Sequence, residues 1–81
     1  MKLEEILKQV NIIFIEVLEN DSITLKGETT SKDIDEWDSL NHIMLIVEIE
    51  QVFSISFTAE EVNGFENVGQ MCESIQLKIK E

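Results

Sequence analysis

Asp38, Ser39 and His42 fall within the stretch EWDSLNH at positions 36–42, and between them they supply the residue types of a nucleophile, its base and an orienting carboxylate. Three places along a helix would let Ser39 and His42 approach each other. The third member must orient the imidazole from its far side, yet Asp38 is the serine's neighbour in the chain, and no glycine-rich oxyanion loop or nucleophile elbow accompanies it. Self-contained hydrolysis is not expected, and His42 reads as a surface or boundary residue. The acids Asp33, Asp35 and Asp38 suggest a calcium loop until the register is counted. From Asp33, the sixth position is Asp38 where glycine is needed, and the twelfth is Met44 where a bidentate glutamate is needed, so no metal site is expected. The lone Cys72 sits on an apolar stripe and reads as a small core residue.

What remains is the serine. Ser39 could cap a helix by accepting a bond from a free backbone amide, and Asp38 could do the same. Two good caps side by side free one of them. A hydroxyl in that place faces the positive end of a helix dipole, where a phosphate is electrostatically favoured, so Ser39 is both a candidate cap and a candidate anchor for an anion.

The elements that must position this residue follow from apolar spacing. Leu3, Ile6, Leu7, Val10, Phe14, Val17 and Leu18 recur at steps of three and four, which predicts a helix from about Lys2 to Leu18 with these residues facing inward. The β-branched run Ile12 to Ile15 lacks the strict alternation of a strand. From Glu19 to Asp38 the composition is that of a loop, long enough to need internal anchors, and Ile23, Leu25, Ile34 and Trp37 are the candidates. After Ser39, Leu40, Ile43, Ile46, Val47, Ile49, Val52 and Phe53 predict a central, heavily buried helix. Its wet stripe is Asn41, Glu48 and Gln51, with Met44 the one apolar residue expected to be partly exposed. Thr58 and Glu61 have capping-box spacing and Gly64 provides a stop, which predicts a short helix over Ala59 to Asn63. Asn67 then caps a last helix whose inward face is Val68, Met71, Cys72, Ile75 and Ile79. The fold class is all-α: a small four-helix bundle of three longer helices and one short one, with a long first loop.

Eighty-one residues bury only about 60% of their unfolded surface, which suits a single domain over residues 1–81. The net charge of −11 comes from seventeen acids against six lysines, and four of those lysines (Lys2, Lys8, Lys78 and Lys80) lie near the termini. Positions 9–77 hold fourteen acids against two lysines, a local balance of −12. Nucleic acid and anionic membranes are disfavoured partners, and basic protein surfaces are favoured. No apolar run approaches the roughly 20 residues of a membrane span. The N-terminus MKLEEILKQV lacks the pattern of a signal peptide, and one cysteine makes no internal disulfide, so a cytoplasmic setting is expected.

Taken together, EWDSLNHIMLIVEIEQVFSISF resembles the signature segment of acyl carrier proteins, in which a serine in Asp-Ser-Leu receives 4'-phosphopantetheine. The likeness includes the apolar helix after the serine, its IEQVF end, the FSISF connection, the acidic TAEEV turn and a last helix opening near Asn67 and Val68. It implies a carrier and not an enzyme, with Ser39 modified by a phosphopantetheinyl transferase and the arm's thiol holding an acyl group as a thioester. An acyl chain would fold back between the helices. Acyl-loading and acyl-transfer enzymes with basic patches would dock on Asp38, Leu40, Met44, Val47 and Glu48, the more weakly the higher the salt, and the carrier would be a monomer. Carriers of primary fatty acid synthesis usually have Gly-Ala before Asp-Ser-Leu, where this chain has Glu36 and Trp37. That resembles carriers of specialised pathways, including polyketide synthesis. The alternatives are a peptidyl or aminoacyl carrier using the same arm, and an unmodified acidic helical adaptor.

Overall fold

In a computed structural model that describes residues 1–79, four α-helices and one turn of 3-10 helix account for the regular structure. Lys80, counted above among the terminal lysines, lies outside the described residues. α1 spans Leu3–Leu18, α2 Ser39–Phe53, α3 Ala59–Gly64 and α4 Val68–Lys78. No strand occurs among the described residues, and the chain is an all-α bundle.

α1 lies against both α2 and α4. Its buried residues are Ile6, Val10, Ile13, Phe14 and Leu18, one helical stripe as the spacing predicts, but turned slightly from the expected one. Leu3 is 42% exposed, whereas Ile13, inside the β-branched run, is buried. The turn has a cause in the long connection that follows. The Asn11 side chain donates to the Ile23 carbonyl at 3.2 Å and accepts from the Leu25 amide at 2.6 Å. The connection is thereby strapped along α1, and Ile23 and Leu25 enter the core with Trp37 while Ile34 packs at its edge. Ser31–Asp33 within it forms the 3-10 turn, closed by a reciprocal capping box between Thr30 and Asp33.

The same connection completes the start of α4. Asn67 accepts from the Gln70 amide at 2.8 Å, as a cap should. The two amides in between are taken by carbonyls of the long connection, Val68 N–H on Thr29 at 2.9 Å and Gly69 N–H on Gly27 at 2.8 Å. This approach requires a glycine, because a Cβ at residue 69 would stand 2.9 Å from the Gly27 carbonyl oxygen. Val68, Met71, Cys72 and Ile75 then fill the core, as their spacing predicts.

α3 opens on the Thr58–Glu61 capping box, whose two bonds measure 2.9 and 3.1 Å. It runs one residue further than expected. Gly64 is its last residue, and no glycine in the described chain has a positive φ, so the helix stops without a left-handed cap. Left-handed residues close α1 and α2 instead, at Glu19 (φ 54°) and Ser54 (φ 55°).

α2 departs most from expectation. Only Leu45, Ile46 and Ile49 are buried, while Leu40, Ile43, Met44, Val47 and Val52 are all exposed. Met44 is one of five exposed apolar residues and not the single one. α2 packs on α1 along one side, and the six-residue α3 is too short to cover the other. The result is a helix that is apolar nearly all round but covered on one face.

Candidate functional site

Asp38, not Ser39, caps α2: its backbone is extended and its Oδ1 accepts from the Asn41 amide at 2.8 Å. The segment before it is held from several sides. The Asn41 side chain donates to the Glu36 carbonyl at 2.7 Å, Asn20 donates to the Glu36 carboxylate at 3.2 Å, and the Trp37 amide donates to the Ile34 carbonyl at 3.1 Å. These bonds fix the direction in which the chain enters the helix.

Ser39 is therefore left as the first residue of a 15-residue helix, exposed, with a side chain that makes no hydrogen bond among the described residues. The backbone N–H groups of Ser39 and Leu40 likewise have no partner there. A hydroxyl free of any structural duty stands beside two unspent amides at the positive end of a helix, which suits a covalently held phosphate.

His42 is occupied at both ring nitrogens. The Trp37 indole N–H donates to Nδ1 at 3.0 Å, which fixes the proton on Nε2, and Nε2 lies 3.0 Å from the Val62 carbonyl near the end of α3. The imidazole stacks on the indole at 5.9 Å between centroids, and the indole meets Phe14 edge-on at 4.9 Å. With no nitrogen left for Ser39 and with Asp38 engaged by Asn41, the three residues do not form a catalytic triad. His42 is a bridge between the long connection, α2 and α3.

A groove of about 510 Å³ opens beside the serine, lined by Asp38, Ser39, His42 and Ile43 on one side and by Val62, Asn63 and Phe65 on the other. Trp37 underlies it, and Ser31 and Glu66 stand at its margins. Sequence reasoning did not single out Trp37 and His42 as a pair, nor Ser31, Asn63 and Glu66 as groove residues. The single tryptophan and the single histidine, five apart around the serine, were the available signal.

Asp38, Leu40, Met44 and Val47 are exposed, and Glu48 is half-buried. Leu40, Met44, Val47 and Glu48 share one face of α2 by their spacing, and Ile43 extends it. Cys72 lies away from this face in the core, where burial, helped by nearby Glu73, pushes its thiol up to about 11. Such a thiol is inert. Among the described residues no three His, Cys, Asp or Glu side chains cluster to hold a metal ion, and no helix is long and apolar enough to cross a membrane.

Neither family models nor curated proteins give a match to the chain. Among solved structures, the solution structure of a holo acyl carrier protein from Geobacter metallireducens is 40% identical to it and superposes with a TM-score of 0.84, over 89% of this chain and 83% of that one. An identity this high along nearly the whole bundle is more than a shared architecture: the chain belongs to the acyl carrier protein family.

Proposed function

We propose that Ser39 is the attachment point for 4'-phosphopantetheine and that this carrier delivers acyl groups to the enzymes of a specialised biosynthetic route, of the fatty acid, polyketide or a related kind. The chain is a carrier and not an enzyme. The observation that carries the attachment is the division of labour at the start of α2: Asp38 caps the helix, and Ser39 keeps an exposed hydroxyl without a partner among the described residues.

In the modification, the Ser39 oxygen bonds to the pantetheine-bearing phosphorus of coenzyme A. The bridging phosphoanhydride bond breaks, adenosine bisphosphate departs, and the hydroxyl proton passes to a base on the transferase. The Ser39 and Leu40 amides, unpartnered among the described residues, would be free to bond the resulting phosphodiester, whose charge the α2 dipole would favour. When bound, the group supplies a thiol that holds an acyl group as a thioester.

The docking face we assign to partner enzymes is the α2 stripe of Leu40, Met44 and Val47, with Asp38 and Glu48 as its acidic rim, which basic patches would meet. A cytoplasmic setting fits the buried, unpaired thiol of Cys72.

Coexpression with a promiscuous phosphopantetheinyl transferase is expected to raise the intact mass by one phosphopantetheine, and Ser39→Ala is expected to abolish the gain. An unmodified wild-type chain beside a modified control carrier would overturn the assignment. It would favour an acidic helical adaptor that binds through the same α2 stripe.

A further inference from the structure

We infer that the acyl groups this carrier takes are short and bear hydrogen-bond donors, and that its own residues keep long alkyl chains out of the bundle. The inference rests on Ser39 as the attachment residue and concerns what is attached. The groove beside Ser39 separates α2 from α3, and an acyl chain entering the bundle there would have to pass between these two helices. That passage is crossed by a bond: His42 Nε2–H reaches the Val62 carbonyl at 3.0 Å, from one helix to the other.

The bond is one link in a chain. His42 Nδ1 accepts from the indole of Trp37 at 3.0 Å, and Trp37 is only 8% exposed and packed edge-on against fully buried Phe14. Parting α2 from α3 with a hydrocarbon would leave the Val62 carbonyl and the imidazole N–H facing alkyl groups. Turning the imidazole aside would strip the indole N–H of its acceptor as well. Such losses oppose the apolar gain that draws an alkyl chain inward, because unpaired polar groups in an apolar setting are costly. Trp37 and His42 thus form a tied aromatic floor to the groove.

The groove above that floor has a different character. Ser31, Asp38, Asn63 and Glu66 line it together with Ile43 and Phe65. Ser31 and Asn63 both donate and accept, whereas the Asp38 and Glu66 carboxylates only accept, so acceptors are in excess and a free acid is repelled. The class that fits is a short hydroxyacyl or aminoacyl group, neutral or cationic.

The test loads the full chain, through a promiscuous transferase, from acetyl-, β-hydroxybutyryl-, β-alanyl-, octanoyl- and hexadecanoyl-coenzyme A, with intact mass as the check on loading. The readouts are the melting temperature, the emission of the single tryptophan, and amide chemical shifts. The hexadecanoyl and octanoyl forms are expected to keep the melting temperature and Trp37 emission of the acetyl form. The β-hydroxybutyryl or β-alanyl form should move the amide signals of Ser31 and Asn63 and leave those of Leu45 and Ile49 in place; which of the two moves them separates hydroxyacyl from aminoacyl cargo. A melting temperature that climbs with chain length, a Trp37 emission shift in the long-chain forms, or Ser31 and Asn63 signals that neither polar form moves would overturn the inference while leaving the carrier reading intact. Failure to load any group on a folded chain would overturn both.

Discussion

A carboxylate at the start of α3 carries one of the clearest pH signatures of this molecule. Glu61 accepts from the Thr58 amide at 2.9 Å and meets the Lys78 ammonium at 3.0 Å, and these contacts, the backbone bond foremost, hold its carboxyl down to about 2. Its partners belong to the folded state, so the sign follows from linkage: a carboxyl depressed on folding stabilises the fold above its ordinary value of about 4.5, and that contribution fades as pH falls toward about 2. Denaturation midpoints of wild type and Glu61→Gln are therefore expected to differ at neutral pH and to converge between about 4.5 and about 2. A constant difference across that range would show that the pairing with Thr58 and Lys78 does not matter. Ser39 offers the opposite lesson at this scale. Its position was readable from Asp-Ser-Leu before a helix, but which of two neighbouring residues would serve as cap was not, since both side chains suit the role and only the backbone conformation at Asp38 decides.

At the scale of elements, the start of α4 depends on the absence of a side chain. Gly69→Ala would set a Cβ 2.9 Å from the Gly27 carbonyl oxygen and 3.2 Å from the capping oxygen of Asn67. The helical preference of alanine recovers about 1 kcal/mol, against an overpacking cost of about 1–3 kcal/mol, so a net loss of about 1 kcal/mol is expected in chemical denaturation. Gly64→Ala is the control: nothing lies within 4 Å of its would-be Cβ, and it should leave the fold no less stable. The helices themselves were legible because their caps are local, Asn67 and the Thr58–Glu61 box being written within four residues of the bonds they make. Two things were not. The exposed face of α2 could not be read from a helix that is apolar on almost every side, where periodicity selects no direction. The strap from Asn11 to Ile23 and Leu25, which turns α1, joins residues twelve and fourteen apart and leaves no mark in either segment.

For the molecule as a whole, the charge of −11 remains a stress on the folded state. Much of it is carried by exposed acids such as Glu28, Asp33, Asp35 and Glu60, with few cations among them, and compaction brings them closer together than in the unfolded chain. Sodium chloride or magnesium is expected to raise the melting temperature, with each kcal/mol relieved worth about 4–8 °C in a domain of this size. Melting curves that coincide across an ionic-strength series would remove self-repulsion from the account. The connection between α1 and α2 has a wider bearing. Its carbonyls at Gly27 and Thr29 occupy the first two amides of α4, so the last helix inherits its beginning from the opening half of the chain. A cut between α2 and α3 would therefore take from the Val68 and Gly69 amides the carbonyls they meet in the intact fold and leave both to water.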